Sequence, residues 1–125
     1  MSREKIAESI PRSILVVEDD YFIANDLARG LTSAGLNVVG PAASVQDALE
    51  LFKTRRVDGA VLDLNLDDET AYVLAELLIR RGMPIVLVSG YEPSAVPERL
   101  RRLPFCRKPF DLAQVLEALE PATPR

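Results

Sequence analysis

This 125-residue sequence has no histidine and a single cysteine, Cys106. Without histidine there is no Ser-His-Asp or Cys-His catalytic centre, no imidazole metal ligand and no phosphohistidine on this chain. One cysteine excludes an intramolecular disulfide and a thiolate zinc site. With no resolving thiol beside it, Cys106 reads as packing material in a strand. No apolar run is long enough to span a bilayer, and neither end reads as a charged-then-apolar targeting segment. The expectation is a cytoplasmic protein with no membrane partner. A net charge of −4 supplies no broad basic face for a phosphate backbone, so no nucleic-acid partner is expected. A local basic group, Arg99, Arg101 and Arg102 with Arg107 nearby, is either a wet helix face or a guide for an acidic partner.

What the chain does have is a set of short apolar runs, most of them ending in polar groups. Ile14-Leu15-Val16-Val17 runs into Glu18-Asp19-Asp20, and Ala60-Val61-Leu62 into Asp63-Leu64-Asn65. Ile85-Val86-Leu87-Val88 runs into Ser89-Gly90, and Phe105-Cys106-Arg107 into Lys108-Pro109. Helical-period segments separate these runs, which is the pattern of repeated βα units and a parallel sheet. The predicted strands are Ser13–Val17, Asn37–Val39, Gly59–Leu62, Pro84–Val88 and Phe105–Arg107. If they are parallel, the polar groups meet at one carboxyl edge, where open α/β sheets bind their ligands.

Helix signals fill the gaps. Asp20 caps a helix running to about Ala34 and stopped by Gly35; Ser44 caps a second with Ala48, Leu49 and Phe52 inward. A third, near Glu69 to Arg81, is apolar nearly all round and ends at Gly82 and Pro84. Asp111 with Gln114 has the form of a capping box for the last helix, with Val115, Leu116 and Leu119 facing the sheet. The connection from Ser89 to Phe105 holds three prolines, so at most two helical turns, about Ser94 to Arg102, are expected there. Residues 1–12 and 121–125 read as tails around one domain, 13–120.

Glu18, Asp19 and Asp63 would then lie within a few ångströms of one another. Two carboxylates about 4 Å apart repel by roughly 4 kcal/mol at an effective dielectric near 20, so such a cluster binds a cation or holds a proton. An all-oxygen site suits Mg²⁺, and carboxylates beside magnesium point to phosphoryl chemistry.

In order along the chain, the acidic pair Glu18-Asp19, the acceptor Asp63, the hydroxyl Ser89, the aromatic Phe105 and the Lys108-Pro109 dipeptide resemble the receiver domain of two-component response regulators. The resemblance covers nearly the whole chain. It implies a flavodoxin-like (βα)5 three-layer sandwich with strand order 2-1-3-4-5, here with a shortened fourth helix. It also implies that Asp63 accepts a phosphoryl group from a phosphohistidine on a sensor histidine kinase or phosphotransfer protein. Glu18, Asp19, Asp63 and the Asn65 carbonyl would hold Mg²⁺, and Lys108 and Ser89 would contact phosphoryl oxygens. Gly90 would leave the group room, and Phe105 would turn as Ser89 moves, altering the surface offered to a downstream protein target. Tyr91 is an anchor for a partner, a lid over the site or a packing partner of Pro93.

Two features depart from the common pattern: Glu18 stands where aspartate is more usual, and Leu66-Asp67-Asp68-Glu69 replaces a Pro-x-x-Gly turn. With Ser89-Gly90-Tyr91 and the proline-broken fourth connection, they resemble a stand-alone subgroup of receivers marked by a Phe-Ala-Thr-Gly-Tyr segment, in which homodimerisation is left open. The expected role is a non-enzymatic signalling module whose only chemistry is its own phosphorylation and dephosphorylation. The alternatives are a pseudo-receiver that is never phosphorylated and an aspartate-nucleophile phosphohydrolase. The phosphohydrolase is disfavoured because Asp-x-Asn lies on the third strand and the chain has no room for a cap. Flavin binding lacks a Ser/Thr/Gly-rich loop after the first strand.

Overall fold

In the computed structural model, which describes residues 12–64, 70–90 and 96–119, five parallel strands form one sheet. They are β1 (Ser13–Val17), β2 (Asn37–Ala42), β3 (Gly59–Asp63), β4 (Ile85–Ser89) and β5 (Phe105–Arg107). Their order is 2-1-3-4-5, as the resemblance implies. Four helices connect and flank them: α1 (Tyr21–Ser33), α2 (Val45–Thr54), α3 (Thr70–Arg80) and α4 (Leu112–Leu119).

Every residue of β1, β3 and β4 is buried, because central strands of a parallel sheet are covered on both faces and need no polar alternation. Successive side chains go to opposite sides. Leu15, Val17, Leu62 and Leu87 join a core with Ala48 of α2 and Leu74 and Leu78 of α3. Ile14, Val16, Val61, Val86 and Cys106 join a second core with Leu27 and Leu31 of α1 and Val115 and Leu119 of α4. The lone thiol is therefore packing material, as expected, and burial raises its pKa.

The helix signals act as read. Backbone N–H groups of Phe22 and Ile23 donate to Asp20 Oδ1 at 2.9 and 3.1 Å, and that of Asp47 donates to Ser44 Oγ at 3.1 Å. The Asp111 N–H donates to Gln114 Oε1 at 3.1 Å, the return half of a capping box. Gly35 and Gly82, at φ 91° and 73°, follow α1 and α3 in the left-handed conformation that favours glycine. Helix α3 differs from the all-round burial its composition predicts. Ala71, Leu74, Ala75 and Leu78 face the sheet, while Val73 is 63% exposed.

The largest departure from expectation lies at the edge of the sheet. Strand β2 runs three residues further than predicted, through Gly40-Pro41-Ala42. Its register with β1 shifts between Leu15 and Val17, and β2 is an edge strand, where a proline and a bulge are tolerated. A side chain at Gly40 (φ 100°) would meet Ala42 N at 2.7 Å, so this turn of the strand needs glycine. The Gly40-Pro41 and Lys108-Pro109 peptides are cis. The fourth connection agrees with the expectation of at most two turns: its described part holds one 3₁₀ turn, Glu98–Leu100. Pro97 precedes that turn and supplies the carbonyl for the Leu100 N–H at 2.8 Å, and Pro104 prevents it from continuing. Residues 1–11 and 120–125, which include nearly all of both predicted tails, lie outside the described residues, as do Asn65 and Tyr91.

Candidate functional site at the carboxyl edge of the sheet

The predicted convergence is present. Asp63 is the last residue of β3 and pairs across to Val88, so Ser89, one residue on, lies at the same edge. Val17 pairs with Leu62, which puts Glu18 beside Asp63. The Glu18 N–H donates to Ala42 O at 2.9 Å, so the prolonged β2 holds the start of the acidic loop. The Lys108 N–H donates to Ser89 O at 2.8 Å, carrying the β4–β5 ladder one residue past its end and aiming Lys108 into the site.

The charges are unbalanced. Glu18 and Asp63 are 2% and 0% exposed. Lys108 Nζ lies 2.9 Å from Glu18 Oε1 and 3.3 Å from Asp63 Oδ2. The other Glu18 oxygen, Oε2, accepts from the Asp20 N–H at 3.1 Å. One ammonium against two buried carboxylates leaves a surplus of negative charge. Burial, followed by the hydrogen bond to Asp63, pushes the Glu18 carboxyl up to about 7, although Lys108 and the Asp20 N–H act the other way. Burial works to lower the Lys108 pKa, but its contacts with Glu18 and Asp63 outweigh that and hold the ammonium above its ordinary value. Lys108 offsets part of the cluster's charge, and burial favours a proton on Glu18.

Asp19 is exposed and completes the group. Glu18, Asp19 and Asp63 each offer one oxygen, and these oxygens lie within 4.8 Å of one another. The set is all oxygen and negatively charged, so it fits a hard divalent cation such as Mg²⁺ and does not fit a soft metal. Ser89 is buried, 2% exposed, and Gly90 follows it directly. Phe105 is half-buried against the core that contains Leu87, Val96 and Leu100. Asp20 is a helix cap rather than a member of the cluster, as its position predicts.

The sequence reading did not anticipate two features. Lys108 engages Glu18 at closer range than Asp63; a contact across 90 residues leaves no local trace. Tyr21 and Phe22, 74% and 77% exposed, project from the first turn of α1 directly after the acidic loop, ring edge to ring face. Helical arithmetic could have found them, because they fall off the buried stripe of Ala24, Leu27 and Leu31. Beside them a cleft of about 440 Å³ between α1 and the β5–α4 loop is lined by Ile23, Leu27, Lys108, Pro109, Phe110 and neighbours.

Comparison with known proteins agrees with this architecture. The family model described as the response regulator receiver domain matches residues 14–120. The chain belongs to that family, whose members are signalling modules of two-component systems. The transcriptional regulatory protein PdtaR of Mycobacterium tuberculosis is 30% identical over 121 residues, 94% of this chain and 59% of that protein. This chain thus spans about three-fifths of that larger regulator. Among solved structures, a CheY-like receiver domain from Methylobacillus flagellatus superposes with a TM-score of 0.77 at 27% identity, covering 91% of this chain and 100% of that one. A Burkholderia pseudomallei response regulator, solved with a phosphorylated aspartic acid, calcium ion and citrate, has a TM-score of 0.75 at 26% identity. It covers 87% of this chain and 66% of that one. Among the described residues no helix is long and apolar enough to cross a membrane.

Proposed function

We propose that the domain, residues 13–120, accepts a phosphoryl group on Asp63 from a phosphohistidine and signals by protein contact. The observation that carries this reading is the buried Glu18–Asp63–Lys108 constellation with Asp19 at its rim: a carboxylate nucleophile, a surplus of negative charge and a fixed ammonium at one strand edge. An Asp63 carboxylate oxygen attacks phosphorus, a P–O bond forms, and the P–N bond breaks with its electron pair going to the departing imidazole of the donor. Lys108, held beside Asp63, is placed to shift onto a phosphoryl oxygen as charge builds there. Ser89 donates its hydroxyl to another, and Gly90 leaves the entering group unobstructed. Mg²⁺, held by Glu18 largely through water and by Asp19, Asp63 and the Asn65 carbonyl, would neutralise phosphoryl oxygens and align them. The phosphorylated aspartic acid and the calcium ion of the similar Burkholderia regulator support the same assignment.

The donor is a sensor histidine kinase or a phosphotransfer protein. The exposed Tyr21 and Phe22 and the apolar cleft next to Lys108 offer it a docking face beside the nucleophile. On phosphorylation Ser89 moves toward the phosphoryl group and Phe105 turns into the space it leaves, changing the surface around β5 for a downstream protein target. Phe105 lacks a phenol hydroxyl, so this switch runs on packing alone. The domain's only reaction is this self-directed transfer and its hydrolytic reversal.

Full burial of Asp63 favours a second reading, a module that is never phosphorylated. Intact-mass measurement after incubation with a small phosphodonor separates the two. One added phosphoryl group that requires both Mg²⁺ and Asp63, and is absent from Asp63→Asn, supports the receiver reading. No adduct and no magnesium binding supports the second.

A further inference from the structure

Strand β2 carries one residue more than β1 where the two approach the carboxyl edge. Ser13, Ile14 and Leu15 face Asn37, Val38 and Val39, whereas Val17 faces Ala42. Gly40 and Pro41 together therefore stand opposite Val16, as a bulge. In the register of the first three pairs Pro41 would face Val17, and proline has no N–H to give a neighbouring strand. The bulge puts Ala42 there instead, and the Ala42 carbonyl accepts the Glu18 N–H at 2.9 Å.

Glu18 is thus held at both its backbone and its side chain. Lys108 Nζ lies 2.9 Å from Oε1, and the Asp20 N–H donates to Oε2 at 3.1 Å. The backbone contact is the one set in the core, because Ala42 is 2% exposed and packs with Val17 and Ala48. The bulge in turn depends on Gly40, whose φ of 100° is a conformation that residues with a side chain rarely adopt. A Cβ at this position would lie 2.7 Å from Ala42 N and 3.0 Å from Val16 O. Both are backbone atoms and cannot swing aside as a side chain could. Relief would have to come from moving Ala42, or from moving β1 two residues before Glu18.

We propose that Gly40 is a positioning residue of the acidic site: through the bulge and the Ala42 carbonyl it fixes Glu18 where, with Asp19 and Asp63, it can hold a divalent cation. This rests on the reading of the carboxyl edge as a cation site. Gly40 has no side chain to offer an ion and acts through the backbone of Ala42. Supports behind a metal's ligands set where those ligands stand, and losing one commonly lowers metal affinity by about 10- to 100-fold.

The test is an amide-shift titration of the isotope-labelled full chain with MgCl₂, run on the unsubstituted chain, Gly40→Ala and Gly35→Ala. Gly35 has a similar φ, 91°, and open space where its Cβ would stand. Its alanine variant carries the same kind of backbone strain without reaching the acidic edge. Both variants should lose stability, but only Gly40→Ala should raise the Mg²⁺ dissociation constant, by about tenfold or more. In the metal-free protein the Glu18 N–H should also exchange with solvent faster in Gly40→Ala than in Gly35→Ala. A general loss of stability would move the two variants together. Equal Mg²⁺ affinity in all three chains, or an equal loss in both variants, would overturn the proposal. If Gly40→Ala does not fold, the unsubstituted chain decides. There Mg²⁺ should slow exchange of the Glu18 N–H, because a cation that needs this contact must in turn stabilise it. An unchanged exchange rate would overturn the proposal. Absence of Mg²⁺ binding by the unsubstituted chain removes the cation reading and the proposal with it, whereas binding that Gly40→Ala leaves intact removes the proposal alone.

Discussion

The two ends of the same sheet both carry buried or half-buried polar groups, and they treat them in opposite ways. At the amino end the Ser13 N–H donates to Asp58 Oδ2 at 2.8 Å and the Asn37 side chain to Ser13 Oγ at 3.1 Å. Arg56 Nε lies 3.2 Å from Asp58 Oδ1. One carboxylate there meets one guanidinium and one backbone donor, and the network closes on itself. At the carboxyl end two buried carboxylates share one ammonium beside an exposed third, and the Glu18 carboxyl is pushed up to about 7. Polarity is common to both ends. What distinguishes this end from the structural joint at the other is the uncompensated negative charge, which suits a hard divalent cation.

Substituting across the two ends should break this contrast most clearly. Asp63→Asn should abolish phosphoryl uptake by intact mass and raise the melting temperature of the metal-free protein, since it removes a buried charge that another carboxylate opposes. Asp58→Ala should do the reverse. It strands the part-buried Ser13 N–H, costing about 1–3 kcal/mol in urea unfolding while phosphoryl uptake persists.

The pH dependence sharpens the comparison. The Glu18 carboxyl titrates near 4.5 when exposed and at about 7 in the fold, so folding takes up a proton between those values. Its favourable contribution is complete below pH 4.5 and is lost as pH rises through about 7. In chelator, the melting temperature of the protein relative to Glu18→Gln should therefore decline from pH 4.5 to 7 and level off above. Mg²⁺ should flatten that decline, because a bound cation replaces the proton.

The smallest effect belongs to Asp20, which sits at the reactive end but is satisfied like the groups at the other. Its side chain caps α1, so Asp20→Ala should cost about 1 kcal/mol in thermal or urea unfolding and leave Mg²⁺ affinity and phosphoryl uptake near their original values. The Asp20 N–H that holds Glu18 survives that substitution. A large loss of Mg²⁺ affinity would instead place Asp20 in the cluster.

Much of this was legible in the residues because its causes are short-ranged. β1 and β5 have the bounds predicted for them, and Asp20, Ser44 and the glycines after α1 and α3 act through neighbours a few residues away. Asp63 and Ser89 fall one residue past the predicted strand ends, yet each is the last residue of its strand. A polar side chain signals an end to pattern, while the backbone ladder continues as long as a partner strand is present. The extension of β2 through Pro41 was hidden for the same reason. A proline breaks a strand in general, and only the position of β2 at the sheet's edge makes it acceptable.

By itself the sequence determined the alternation of strands and helices, the helix caps, the weakness of the fourth connection and the identity of the polar residues that end each run. Those follow from periodicity, proline and glycine stereochemistry and side chains reaching their own backbone. The tertiary structure alone decided that Lys108 turns to Glu18 as well as Asp63 and that the Glu18 carboxyl is pushed up to about 7. Each depends on groups far apart in the chain being brought within a few ångströms with water excluded, and distance and burial set the strength of every charge interaction.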